Sequence, residues 1–302
     1  MLLSGCGGST APVAAPATAT PVPVNPASAL SGNWLITAAA PTESFSSTSG
    51  EKLRLALTVD VVGDNVVAAG YGNRFCGATL STGITGAILN SGISTALSGT
   101  VAQDGTFNLQ SQAGLPTAAT IKGKAPGTLG SPWSGTYALT FMDFSSRFLQ
   151  GCNETVTDSF TATYLPLVGG VYVGTATPMP PLPSGSSTVG PMTVELTLQQ
   201  GGTTTDVVSE KTISGNGVLT GSIKVQGSPC FTTGTTTGGL SNVVGNRVQA
   251  MFAMDDGSSL IIVGTVSDPT EMKIATSIIR MSSPCGNTPS VLYSLPELDK
   301  QM

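Results

Sequence analysis

The sequence predicts an all-β protein: a tandem duplication of two small antiparallel β-barrel or β-sandwich domains behind a disordered N-terminal tether. Three observations carry this. Segments such as Leu53–Val59 alternate apolar and polar residues with period two. Turn-forming clusters of Gly, Asn, Asp, Ser and Pro recur at roughly the spacing of short strands. The same ordered series of features occurs twice along 302 residues, a length that suits two ordinary domains. No segment combines a helical apolar period with caps.

Residues 6–30 form the expected tether. From Gly7 to Leu30 there is no charged residue, and Ala, Pro, Thr and Gly dominate. Such a stretch buries too little apolar surface to fold alone and reads as an extended linker. The first domain is expected over 31–168 and the second over 169–302.

The repeat is legible residue by residue. Gly32-Asn33-Trp34-Leu35-Ile36-Thr37 aligns with Gly170-Val171-Tyr172-Val173-Gly174-Thr175. Each is followed by a Pro/Ser/Thr/Gly-rich loop and then a strand. Leu53, Leu55, Leu57 and Val59 take the places of Met192, Val194, Leu196 and Leu198. A segment ending at a cysteine follows in each half, Gly72–Cys76 and Gly227–Cys230. Each half then has an Asp-Gly hairpin, at Asp104-Gly105 and Asp256-Gly257. Each closes on a second cysteine, a tyrosine and a proline: Cys152, Tyr164, Pro166 and Cys285, Tyr293, Pro296. Asn216-Gly217 lies between two strand-like runs and predicts a type I′ hairpin, because Asn and Gly accept positive φ. Gly63-Asp64-Asn65 is a similar turn. The segment Leu165–Gly169 between the halves is short, so the domains are expected to touch.

Five cysteines are present: Cys6, Cys76, Cys152, Cys230 and Cys285. Four body cysteines allow three connectivities. One pair per repeat selects Cys76–Cys152 and Cys230–Cys285 in an oxidising compartment; four buried thiols are the alternative. No two cysteines have the close spacing of a redox or zinc motif.

Cys6 is the odd one out. It ends the run Leu3-Ser4-Gly5-Cys6, which resembles the lipobox of bacterial lipoproteins. The resemblance implies cleavage before Cys6, with residues 1–5 a signal-peptide remnant, and a thioether-linked diacylglycerol on the Cys6 sulfur. The lipid bilayer is then a partner, since several acyl chains anchor stably. Gly7 and Gly8 follow, without the Asp that marks inner-membrane retention in that family. This implies a cell-envelope location, at the outer membrane or cell surface. More broadly, the lipobox, tether and spaced cysteines resemble uncharacterised secreted lipoproteins built of β repeats, for which no activity is implied.

Composition excludes much chemistry. There is no histidine, hence no Ser-His-Asp or Cys-His catalysis. With 12 Lys+Arg against 17 Asp+Glu the net charge is −5, unsuited to a phosphate backbone, so no nucleic-acid partner is expected. No phosphate loop, nucleophile elbow or calcium loop occurs. Ser49-Gly50-Glu51-Lys52 has the Ser-x-x-Lys spacing of penicillin-binding proteins, but it precedes a strand and lacks their other motifs. Asp143, Glu154, Asp158, Asp255 and Asp256 are the candidate paired carboxylates of a glycosidase, and they also read as solvated turns. No metal and no cofactor are expected.

Trp133 and Tyr137 are four apart, so a strand turns them to one side. With Trp34 they are the candidate ligand-binding residues; the same positions also read as ordinary barrel interior. Gly32-Asn33-Trp34 resembles the first strand of lipocalin-type barrels. The expected function is that of a non-enzymatic cell-envelope lipoprotein presenting two disulfide-stapled β domains for binding, adhesion or scaffolding. A lipocalin-like carrier of a small apolar ligand is the alternative. Candidate partners are a protein, a glycan or such a ligand.

Overall fold

The computed structural model describes residues 25–39, 51–79, 85–111, 117–141, 156–179, 190–268, 273–282 and 292–301. The first repeat forms eight strands: β1 (Gly32–Ala39), β2 (Glu51–Val62), β3 (Asn65–Thr79), β4 (Thr85–Val101), β5 (Thr106–Ser111), β6 (Thr117–Lys124), β7 (Trp133–Phe141) and β8 (Val156–Leu165). Each pairs antiparallel with the next, and β8 pairs back onto β1, so the sheet closes as an up-and-down barrel. Closure removes the sheet edges that an open meander would expose.

Alternation sets the inner face. Leu55, Leu57 and Val59 of β2, Trp34 and Ile36 of β1, and Trp133, Tyr137 and Leu139 of β7 form one buried cluster. The turn Gly63-Asp64 joins β2 to β3, with Gly63 at φ 63 as a two-residue hairpin requires.

The tether ends earlier than expected. Pro26–Leu30 forms a 3₁₀ turn, capped by the Asn25 side chain accepting from Ala27 N. Ala27 and Leu30 join the barrel core, and the Leu30 carbonyl accepts from Trp34 Nε1 at 2.7 Å. Pro at the first position and a short apolar run let these residues cap the barrel rather than extend the linker.

The second repeat comprises β9 (Gly169–Pro178), β10 (Met192–Gln200), β11 (Thr203–Thr205), β12 (Thr212–Ser214), β13 (Leu219–Gln226), β14 (Thr233–Thr236), β15 (Asn242–Val244), β16 (Arg247–Met254), β17 (Ser259–Asp268), β18 (Lys273–Ser282), β19 (Leu292–Ser294) and β20 (Asp299–Lys300). Its ten-stranded sheet runs β10-β13-β14-β16-β17-β18-β19-β9-β20, and β9 also pairs with β10, so the pairings return on themselves. β11 and β12 form a separate hairpin, and β15 pairs on β16.

The duplication extends to the register. Gly32 opposes Val59 and Trp34 opposes Leu57 in the first barrel. Gly170 opposes Leu198 and Tyr172 opposes Leu196 in the second. Gly32 and Gly170 take φ 113 and φ 122, a conformation reserved for glycine. Trp34 and Tyr172 are both wholly buried two residues on.

Two sequence expectations are corrected. The Asp-Gly hairpins are not equivalent. Asp104-Gly105 joins the fourth and fifth strands of its ring, whereas Asp256-Gly257 joins the fifth and sixth, at the opposite end. Asp-Gly serves any tight hairpin, so its recurrence carries no positional information. Asn216-Gly217 does not close a type I′ hairpin either. It links β12 to β13, which do not pair, and Asn216 bonds to the other barrel.

The second barrel is completed by the chain's last residues. Ile274 and Leu298 exchange backbone hydrogen bonds at 3.0 and 2.9 Å, β20 pairs with Val173 and Tyr172, and Gln301 N donates to Val171 O. Lys273 lies 3.9 Å from Glu297 and 3.7 Å from Asp299. Leu295 and Leu298 are fully buried in the second core.

Candidate functional site

The junction between the barrels holds the densest set of buried polar side chains among the described residues. Asn33, Thr58 and Gln200 are buried there. Asn33 Nδ2 donates to Gln200 Oε1 at 2.9 Å, and Gln200 Nε2 donates back to Asn33 Oδ1 at 2.8 Å. Gln200 also accepts from Val168 N and donates to Asn216 O, both at 2.7 Å. Thr58 Oγ1 donates to Asn33 Oδ1 at 2.8 Å, lies 3.1 Å from Val243 O, and accepts from Gly245 N at 2.8 Å. Every amide atom of Asn33 and Gln200 therefore has a partner. A satisfied buried network of this kind fixes one relative orientation, because any other leaves its members unpaired.

Strand alternation places these groups. Leu55, Leu57 and Val59 point into the first barrel, so Ala56, Thr58 and Asp60 point out, towards the second. Gly245, at φ 59, comes so close that an added Cβ would sit 2.4 Å from Ala56 Cβ. Asn216 reaches over with N bonded to Asp60 Oδ1 at 2.6 Å and Nδ2 bonded to Val59 O and Ser31 Oγ at 2.8 Å. Arg247 stacks its guanidinium 3.9 Å from the Tyr71 ring centre, a cation–π contact across the junction.

Burial of Asp60 at this junction disfavours its ionised form and raises its pKa above the ordinary carboxylate value. The Asn216 amide pulls it back by less. The docked state therefore has its full stability from this group below the ordinary carboxylate pKa, and loses it as pH rises through the raised value. Asp60→Asn keeps an oxygen for Asn216 N and removes the charge. We expect it to stabilise the protein at neutral pH, with no gain over the parent at acid pH, in urea titrations across that range. A constant difference at all pH values would contradict this.

The predicted ligand-binding residues lie in the core. Trp34 packs edge-on against Trp133 at 5.7 Å and Tyr164 at 5.2 Å; Trp133 meets Phe107 and Phe160 at 5.2 Å each. Tyr137 lies 6.4 Å from Phe160. Trp34 and Trp133 thus share an aromatic cluster inside the barrel, beside Leu30 of the 3₁₀ turn, and Tyr137 joins it through Phe160. Trp133 Nε1 is the one buried side-chain polar atom without a hydrogen-bond partner among the described residues. Its neighbours are ring faces and edges, which compensate an N–H only weakly.

Trp34→Phe and Trp133→Phe remove the same atoms, but only the first orphans a carbonyl, that of Leu30. Trp34→Phe should therefore cost about 1–2 kcal/mol more. Urea unfolding followed by the remaining tryptophan measures this, and equal losses would contradict it.

Other candidate residues are not brought together. Asp255 is exposed and accepts from the backbone and hydroxyl groups of Thr232 and Thr233, which lower its pKa. Asp256 accepts from Ser258 N and Oγ, as a turn aspartate does. Asp158 accepts from Ser159 N. Asp143, Glu154 and Ser49 lie outside the described residues. Among the described residues no three His, Cys, Asp or Glu side chains converge as a metal site, and no helix is long and apolar enough to cross a membrane. A shallow cleft of about 370 Å³ opens over β13, β14 and β16, lined by Lys224, Thr233, Thr235 and Met254 among others.

Cys230 is disulfide-bonded. Cys6, Cys152 and Cys285 lie outside the described residues, as does the side chain of Cys76. The backbone of Cys76 stands opposite Leu89 on β3.

No family model matches the chain, and no curated protein does. Among solved structures, a protein of unknown function of the DUF3598 family from Nostoc punctiforme aligns over 92% of this chain and 98% of its own, with 10% identity and a TM-score of 0.22. At that score the similarity carries no argument.

Proposed function

We propose that the chain is a non-catalytic cell-envelope lipoprotein, anchored in the bilayer through an acylated Cys6, that displays two docked β-barrels as one rigid unit for binding, adhesion or scaffolding. The observation that carries this reading is the fully bonded junction around Asn33, Thr58 and Gln200. A chain that only strings two independent modules together has no need of buried amides between them. Rigid spacing of two barrels suits a protein that presents a surface at the end of a tether.

Disulfides Cys76–Cys152 and Cys230–Cys285 belong to this proposal. Each would join the end of the third strand of a ring, or the turn after it, to the turn between the seventh and eighth strands. In the second barrel the strand ends Gln226, Met254 and Ser282 lie at one end. Cys230 follows the first by four residues and Cys285 the last by three. In the first barrel Thr79 and Phe141 end at the matching side. Bridges over loops this long contribute roughly 4 kcal/mol each on chain-entropy estimates.

A lipocalin-like carrier is the second reading, and the closed up-and-down ring of β1–β8 favours it. In this reading Trp34, Trp133 and Tyr137 form the floor of the site rather than its walls. One experiment separates the two: native mass spectrometry of the chain exported to an oxidising periplasm. The first reading expects the mass of acyl chains on Cys6, four hydrogens lost to two disulfides, and no other ligand. A dissociable mass of a few hundred daltons would replace it with the carrier. An unmodified Cys6 in a host that processes lipoproteins would overturn the anchoring.

A further inference from the structure

We propose that Asn216-Gly217 is a deamidation site that the docked junction holds shut, and that its reaction parts the two barrels irreversibly. The proposal rests on the docked unit and not on the anchoring of Cys6. Asn216-Gly217 is the single Asn-Gly pair in the sequence. Asparagine is a thermolabile side chain. A following glycine makes it most so, because no Cβ shields the nitrogen that attacks it. The chemistry needs only water. The Gly217 backbone nitrogen gives up its proton and attacks Cγ of Asn216. The bond from Cγ to Nδ2 breaks, and ammonia leaves with that proton. Water then opens the succinimide ring at one carbonyl or the other, leaving aspartate or isoaspartate in place of the asparagine.

The junction opposes the first step. The attack requires the Asn216 side chain to turn towards the Gly217 nitrogen, and the groups on both sides are held. Asn216 Nδ2 donates to Ser31 Oγ and Val59 O at 2.8 Å. Asn216 N donates to Asp60 Oδ1 at 2.6 Å, and Asn216 O accepts from Gln200 Nε2 at 2.7 Å. Gly217 O accepts from Val243 N at 2.9 Å. Ser31, Val59 and Asp60 belong to the first barrel, so most of this grip exists only while the barrels are docked. The rate in folded protein is then the rate in the unfolded chain scaled by the population of the open junction. The other junction amides are poorly placed to react: Asn33 precedes the bulky Trp34, and Gln200 would have to close a six-membered ring.

The product does not fit the same place. A carboxylate oxygen replaces the Nδ2 donor against the Val59 carbonyl, setting acceptor against acceptor. A second carboxylate then stands beside Asp60, which already bonds to the same residue. In isoaspartate the main chain gains a methylene between the nitrogen that Asp60 holds and the carbonyl that Gln200 holds, so the two bonds cannot both keep their geometry. An open junction reacts, and a reacted junction stays open. The pair is a one-way timer set by how often the barrels part.

The test incubates the full chain at mildly alkaline pH, folded and in urea, and follows the peptide containing Asn216 by mass spectrometry. The folded protein should deamidate at least about tenfold more slowly than the unfolded chain. Asn33→Leu weakens the junction without touching the reacting residues and should speed the folded-state reaction at least about tenfold. Asn216→Gln should abolish the mass gain. Aged protein, separated by its added negative charge, should unfold at lower urea than fresh protein by tryptophan fluorescence, and Asn216→Asp should do so without ageing. Equal rates in folded and unfolded protein overturn the proposal. So does a rate that Asn33→Leu leaves unchanged in folded protein, a mass gain that survives Asn216→Gln, or aged protein with an unchanged transition. Because the comparison with urea uses the parent chain, it decides the matter even if Asn33→Leu misfolds. Acylation of Cys6 is read on a different peptide, so the failure of either idea is seen separately.

Discussion

Gln200→Leu is expected to lower stability by about 3 kcal/mol or more. The substitution keeps the bulk of the side chain and removes four hydrogen bonds. It strands Val168 N, Asn216 O and the Asn33 amide, all of which face Gln200 at 2.7–2.9 Å. Each buried group left unpaired costs about 1–3 kcal/mol, and the sum is not additive. Asn33→Leu should cost a similar amount for the same reason. The double variant, in which both partners are apolar, should recover part of the loss, because two leucines leave fewer stranded groups than one. Urea denaturation of the four proteins gives the coupling, expected near 2 kcal/mol. A coupling below about 0.5 kcal/mol would mean that the two amides do not act as one lock.

Ending the chain after Ser294 is expected to unfold the second barrel while the first keeps its tryptophan signal. The deletion removes Leu295 and Leu298, both fully buried, together with β20. Truncating one such leucine to alanine costs about 2–5 kcal/mol. Two of them plus a strand pairing approach the whole stability of an ordinary domain. Trp34 and Trp133, the only tryptophans, both lie in the first barrel, so fluorescence reports that barrel alone. The prediction is a cooperative fluorescence transition at lower urea than in the intact chain, with much of the β signal in far-ultraviolet circular dichroism already lost. The shift follows from the junction, since Asn33 and Thr58 then lose their partners. An unchanged transition would show that docking adds nothing to the first barrel.

The junction also explains why part of the molecule could not be read locally. In β2 the alternation of Leu55, Leu57 and Val59 with Ala56 and Thr58 describes a strand with one wet face. Ala56 and Thr58 are nevertheless 5% and 2% exposed, because a second barrel covers them. Asn33 sits beside Trp34 in a motif that draws attention to the tryptophan, yet Asn33 makes the contacts between domains. Gln200 ends a strand and reads as a surface residue. Asn216 has the chemistry of a hairpin turn, and it was a sound turn signal spent on a loop that docks. The single hint of a special role was the Asn216-Gly217 pair itself, which marks an unusual backbone but not its partner.

What the sequence determined by itself is the β class, the duplication and the register of its opening strands. Period-two alternation and glycine punctuation are local, so they survive in one dimension. The matched Gly32 and Gly170 follow from a repeated pattern. The tertiary structure alone decided how the barrels meet, where the tether ends and what completes the second ring. Those outcomes depend on groups brought together from distant parts of the chain: Asn33 with Gln200, Asp60 with Asn216, Ile274 with Leu298. A polar side chain is compatible with water or with a partner. Only the close approach of a second surface selects between them.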